Sequence, residues 1–272
     1  MKHRDRGQYI NPLKRTVSNT EDASSSPHFL VHVTSVGAAR AIVADGKIET
    51  TYCRHFKKPL VYFFVDRVGY RPPGSDTKSD QINRFPFVFI IQLNRNDSFF
   101  HAYPFDTGAA LDGMFDEKAD PFVFIEDYEL NPTAEGVFAH IAWAFDSNLD
   151  YFKGHLNSEK KHTLNPWQSV ERSYFDIAQL ASPTHNRPDN RASAIEVALD
   201  MSLTVHKTGT YVIFPKQLIE NGPNSNVPLT QLLLDRGISW QTYNWLPNSR
   251  PVDFFQEISH VMETFIRNTQ ND

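Results

Sequence analysis

The chain alternates between short, densely apolar runs and long polar stretches, and the runs predict its elements. His28-Phe29-Leu30-Val31-His32-Val33-Thr34 is rich in β-formers and predicts a strand. Thr34-Ser35 then offers an N-cap to a helix carrying Ala38, Ala39, Ile42 and Val43, which Asp45-Gly46 closes. Pro59 to Val65 predicts a second strand. Phe85 to Ile91 predicts a third, apolar throughout as a central strand would be. Residues 71 to 83 read as a loop, opening on Arg71-Pro72-Pro73-Gly74. Ala134 to Phe145 predicts a helix with Val137, Ile141 and Phe145 on one face. Leu149 to His185 mixes aromatic and polar residues, so about 130–185 reads as a partly helical insertion. Ala192 to Leu203 and Gly209 to Phe214 are strand-like, and Pro215 ends the latter. The clearest helical period runs from Val252 to Arg267, where Phe255, Ile258, Met262, Phe265 and Ile266 form a stripe.

Strands outnumber convincing helices, and few strand–helix–strand units recur, so the pattern predicts an α+β fold rather than a doubly wound sheet. Residues 1–26 are polar and end in a serine run, which predicts a flexible or loosely docked N-terminal arm. At 272 residues the remainder, 27–272, reads as a single domain with a sizeable insertion. With 27 Lys+Arg against 32 Asp+Glu the formal charge is −5, so there is no overall basic field to gather nucleic acid. One cysteine, Cys53, excludes an internal disulfide framework. No run of about 18 apolar residues and no apolar signal stretch is present, which leads us to expect a soluble, cytoplasmic protein away from the membrane. Dinucleotide, P-loop and serine-hydrolase motifs are missing, the eleven histidines show no metal-binding spacing, and His101, His140, His155, His162, His185 and His206 are scattered with mostly exposed surroundings, so no metal site is expected.

Several constellations could carry chemistry. Alternation puts His32 and Thr34 on one face of the first strand, where it opens into a helix N-terminus with Ser35, so imidazole, hydroxyl and backbone N–H groups can converge on a polar ligand. The alternative is a histidine satisfied beside a cap. Tyr62 stands in an apolar strand, as a core residue or as a platform for a flat ring. Glu196 lies in the small apolar stretch Arg191-Ala192-Ser193-Ala194-Ile195-Glu196-Val197, where an unpaired carboxylate is costly. It either pairs with Arg191 across a bend or lines a cleft. Asp189 is a further acid, in a turn. Asp106-Thr107-Gly108 matches the aspartic-protease triplet, but no second copy exists, so a turn capped by Asp106 or a lid over a cleft is expected. Alternation places Cys53 and His55 together, with a bystander thiol the default reading.

Taken in order, Leu30-Val31-His32-Val33-Thr34, the helix ending Asp45-Gly46-Lys47-Ile48, Val61-Tyr62-Phe63-Phe64 and Arg191 to Val197 resemble the ADP-ribosyltransferase superfamily in its His–Tyr–Glu arrangement. The resemblance implies a bent, split β-sheet core that binds NAD as substrate without a Rossmann motif. It implies that His32 bonds the nicotinamide-side ribose, that Thr34 lies near the carboxamide and that Tyr62 stacks on the nicotinamide. Ser35 and Arg191 would complete the cofactor contacts. Glu196 would hold a ribose hydroxyl and stabilise the oxocarbenium-like centre. Ala194 stands where an acceptor-orienting Gln or Glu would be, which turns the expected acceptor from protein arginine towards nucleic acid, a small molecule or water.

The expected function is therefore NAD-consuming transfer or hydrolysis, of a kind that fits a bacterial toxin or a phage-defence protein. Two alternatives share the fold. One is an RNA 2′-phosphotransferase-like enzyme, with Arg40, Arg54, Lys57, Lys58, Arg67 and Arg71 to grip phosphate; the other is an inactive nucleotide-sensing or protein-interaction module. Trp240, Tyr243 and Trp245 are expected to pack in the core or to face a partner.

Overall fold

The computed structural model describes residues 1–3, 11–18, 20, 27–69, 74–182, 184–185, 188–205, 209–220 and 227–271. Arg71, His206 and the serine run lie outside the described residues. The elements of the first half are α1 (Pro12–Val17), β1 (His28–Ser35), α2 (Val36–Asp45), β2 (Lys47–Ile48), β3 (Thr51–Cys53), β4 (Lys58–Val65), β5 (Pro86–Leu93), β6 (His101–Tyr103) and α3 (Thr107–Leu111). Then come α4 (Ala134–Ala144), α5 (Asn148–Lys153), α6 (Ser158–Thr163), α7 (Ser169–Ala178), β7 (Glu196–Leu199), β8 (Leu203–Thr204) and β9 (Thr210–Pro215). The chain ends with α8 (Gln217–Glu220), α9 (Val227–Asp235), β10 (Ser239–Tyr243) and α10 (Phe255–Asn271). The fold is α+β with mixed strand pairing. Where the sequence suggests an arm and one domain over 27–272, the chain divides into two compact units. The first comprises Met1–Ser26, Tyr52–Val65 and Asn94–Asp200, and the second Pro27–Thr51, Asp66–Leu93 and Met201–Asp272.

In the second unit the strand order is β10-β9-β5-β1. β1 and β5 run antiparallel with His28 opposite Leu93 and Ser35 opposite Pro86, β9 is antiparallel to β5, and β10 is parallel to β9. β5 is the continuously apolar run, and Phe87, Val88, Phe89 and Ile90 are all buried, as an interior strand requires. The stripe on α10 buries Ile258 and Met262, and Phe265 stacks on Tyr211 at 4.3 Å. Of the C-terminal aromatics, Tyr243 is buried and donates to the Pro86 carbonyl at 2.9 Å, while Trp245 packs edge-on to Phe85 at 5.6 Å.

Both expected caps of α2 are present. The Ser35 hydroxyl accepts the Ala38 N–H at 3.3 Å, and Gly46 ends the helix at φ 69°. Arg236 donates to the Ala44 carbonyl at 2.6 Å, and its guanidinium lies 2.2 Å from where a Gly46 side chain would begin. Gly46→Ala therefore meets both the left-handed penalty and a displaced arginine, and should lose about 1–2 kcal/mol in chemical denaturation.

The first unit pairs β4, β7 and β6 in that order, all antiparallel, with β3 beside β4. The described part of residues 1–26 is no loose arm. Leu13 and Val17, four apart on α1, are both buried, and three carboxylates of the unit bond His3, Asn11 and Thr16. His3 Nδ1 meets Glu126 at 2.5 Å, Asn11 donates to Glu129 at 3.2 Å and Thr16 donates to Glu171 at 2.5 Å. Two apolar side chains at helical spacing, in an otherwise polar segment, are enough to dock a short amphipathic helix. The 130–185 region carries α4 to α7, with turns and coil between them. From α5 the fully buried Tyr151 reaches the strands: its hydroxyl donates to the Val65 carbonyl at 2.8 Å and accepts the Ile195 N–H at 3.0 Å. Ala192 to Leu203 is only partly extended. A 3-10 turn occupies Asn190–Ala192, and β7 begins at Glu196.

Candidate functional site

Register decides which side chains meet. Tyr62 lies opposite Ala198 and Phe64 opposite Glu196, while His101 and Tyr103 lie opposite the same two β7 residues from the other side. Residues opposite each other share a face, and so do residues two apart. Tyr62, His101, Tyr103 and Glu196 therefore stand on one face of three adjacent strands. The contacts agree: the Tyr62 and His101 rings are 5.8 Å apart, His101 and Tyr103 5.0 Å, and His101 Nε2 is 3.8 Å from Glu196 Oε1.

The start of α3 supplies the polar side of this cluster. Asp106 is its N-cap, accepting the Ala109 N–H at 2.8 Å, so the turn expected at Asp106-Thr107-Gly108 is present. The next residue, Thr107, donates its hydroxyl to Glu196 Oε1 at 2.5 Å. The Asp106 N–H in turn donates to the Arg191 carbonyl at 2.9 Å. From β3, Cys53 Sγ accepts the Tyr62 hydroxyl at 3.0 Å.

Burial sets the ionisation of these groups. It pushes Glu196 well above the usual carboxylate range, and the nearby Asp106 charge pushes the same way; the Thr107 hydroxyl and N–H oppose both. Asp106 is also raised by burial, against the Ala109 N–H and Arg191. Tyr62 is held protonated, first by burial and then by the Glu196 charge. The site therefore holds a carboxyl whose ionised form is disfavoured by burial, beside a tyrosine that stays a donor.

Of the residues singled out in the sequence, Tyr62 and Glu196 come together in the first unit. Arg191 is near them, but it does not pair with Glu196. Its guanidinium takes Asp189 through two bonds of 2.9 and 2.7 Å, the closest carboxylate within its own turn. His32, Thr34 and Ser35 belong to the second unit; His32 is half-buried with its ring 6.4 Å from Phe89, and Ser35 caps α2. Cys53 bonds Tyr62 rather than His55, which faces Asp112 at 3.7 Å.

Of the six histidines read as mostly exposed, His101 and His140 are buried. His101 sits among Phe56, Phe100, Tyr62 and Tyr103. His140 bonds the Tyr174 hydroxyl at 2.9 Å, and burial lowers it to about 3, so it stays neutral. Sequence reasoning missed His101 as a site residue because its strand is three residues long; the one available signal was the pair His101 and Tyr103 flanking Ala102. Most of the cations expected to grip a phosphate are engaged: Lys58 bonds Asp200, Arg54 faces Asp112 at 3.5 Å, Arg40 bonds Asn83 and Arg67 is buried.

Among the described residues no group of three or more His, Cys, Asp or Glu is placed to hold a metal ion, and no helix is long and apolar enough to cross a membrane. No protein-family model, no curated protein and no solved structure matches this chain.

Proposed function

We propose that this chain is an ADP-ribosyltransferase-like enzyme that consumes NAD, cleaving the bond between nicotinamide and ribose and passing ADP-ribose to water or to an acceptor such as a nucleic acid. One observation carries the reading. Tyr62 and Glu196, two residues of the resemblance about 130 positions apart, share one face of neighbouring strands, with the carboxyl close enough to act electrostatically on the phenol. The proposal rests on the first unit and not on His32.

In the reaction the C1′–N bond breaks and its electron pair leaves with nicotinamide, neutralising the pyridinium charge. Positive charge develops on C1′ and the ring oxygen. A carboxylate fixed beside C1′ in a buried, low-dielectric setting stabilises that charge far more than one in water. Burial disfavours the ionised form of Glu196, and an incoming pyridinium favours it. Thr107 fixes the oxygen that would face the ribose, and the Tyr62 ring offers a flat surface to nicotinamide.

The test is chromatographic detection of nicotinamide from NAD. Release should follow a kcat/KM that rises with pH through an apparent pKa above the ordinary carboxylate range, because the free enzyme must first lose the Glu196 proton. No release between about pH 5 and about pH 9 from folded protein would remove the proposal. NAD at a hundred times its Kd should also add about 2.7 kcal/mol of stability; that gain without turnover would assign a sensing role instead.

A further inference from the structure

Glu196 is only 4% exposed and His101 is fully buried, so a ribose cannot reach them unless a covering group moves. On the His101 side that group is Phe56. Its ring lies 4.4 Å from His101 and 6.3 Å from Tyr103. Phe56 stands in the turn of residues 54–57 that joins β3 to β4, and the next residue, Lys57, has φ 51°, a strained conformation for a lysine.

Beyond its ring contacts, the turn meets the described N-terminal residues on one side and Asp112 on the other. Phe56 meets the edge of His3 at 4.8 Å and 88°, and His3 is held in turn by Glu126. The neighbouring Lys2 carbonyl accepts the Ile125 N–H at 3.0 Å. On the other side Arg54 and His55 face the exposed Asp112 at 3.5 and 3.7 Å. The pairs to the exposed Asp112 contribute little, so opening the turn costs chiefly the Phe56 ring packing and the His3 contact to the buried Glu126.

We propose that residues 54–57 form a lid over the Glu196 site and that His3 is its latch. The lid regulates the site proposed above and rests on that reading for its role in catalysis. Its mechanics do not. Displacing the N-terminal segment frees Phe56, lets the turn relax from the Lys57 conformation and uncovers His101 and Glu196. Segment and lid thus keep the site mostly closed, so that the wild type opens it transiently and displacing residues 1–3 from Glu126 and Ile125 opens it more often.

The chain carries its own probe of this motion. Cys53, the only cysteine, adjoins the lid and bonds Tyr62, so its reactivity with a disulfide reagent such as DTNB reads the opening. His3→Ala should raise the modification rate of the full-length protein about tenfold, equivalent to about 1.4 kcal/mol in the opening equilibrium. Phe56→Ala should raise it at least as much. Glu126→Gln, which weakens the latch without touching the lid, should move the rate in the same direction while the melting temperature shows the protein folded. Unchanged thiol rates in both His3→Ala and Glu126→Gln overturn the lid. If the wild type also releases nicotinamide, that result leaves the proposed function standing. Raised thiol rates with no nicotinamide release from any variant establish the lid and remove the enzymatic reading.

Discussion

Glu196→Gln is expected to lower nicotinamide release by about 10²–10³-fold while the fold survives, the size of loss seen when one preorganised electrostatic contact to a transition state is removed. Glutamine has the same shape, and its carbonyl can still accept the Thr107 hydroxyl, so packing is kept. Only the charge is lost. Stability gives an independent check. Because burial raises Glu196 in the folded chain, its ionised form is less favourable there than in the unfolded chain. Its contribution is then fully favourable below the unfolded pKa and declines as pH rises towards the folded one. The glutamine variant should match the wild type in acid and melt higher as pH rises. Parallel nicotinamide assays and melting curves read both effects. Near-wild-type activity would free Glu196 of any role in bond cleavage, and a melting temperature that falls further behind the wild type at high pH would contradict its buried, raised carboxyl.

The largest loss of stability without loss of side-chain volume is expected from Tyr151→Phe. One hydroxyl serves both the Val65 carbonyl and the Ile195 N–H, at the ends of β4 and β7. Phenylalanine fills the same space but withdraws a partner from two buried backbone groups. Each such loss costs about 1–3 kcal/mol, so the variant should lose about 2–6 kcal/mol and melt several degrees lower. Ile195 immediately precedes Glu196, so the same change should loosen the carboxyl and reduce any turnover as well. A melting temperature unchanged by Tyr151→Phe would mean that water takes over both bonds.

Much of this architecture is legible in the sequence where burial and periodicity coincide. The apolar run of β5, the caps Ser35 and Gly46 on α2, and the stripe on α10 all declare themselves, because a strand buried on both faces and an amphipathic helix have distinct patterns. Short elements fixed by tertiary contact do not. β6 spans three residues, and α1 is a polar segment anchored only by Leu13 and Val17. The site was half legible. Tyr62 and Glu196 stand out in their apolar strands and again in the resemblance, whereas Thr107 reads only as part of a turn capped by Asp106. The Thr107 hydroxyl meets Glu196 across 89 positions of sequence, a contact no local pattern encodes. Arg191 illustrates the opposite failure: the nearest acid, Asp189, captured it before any distant one could.

The pairing of β4 with β7 has a consequence for biosynthesis. Phe64 and Glu196 become neighbours only after most of the polypeptide has left the ribosome. A nascent chain stalled or cleaved before about residue 200 holds the phenol without the acid, and closing so long a loop is entropically slow. Until β7 emerges, the edge of β4 that will carry it has no strand to pair with.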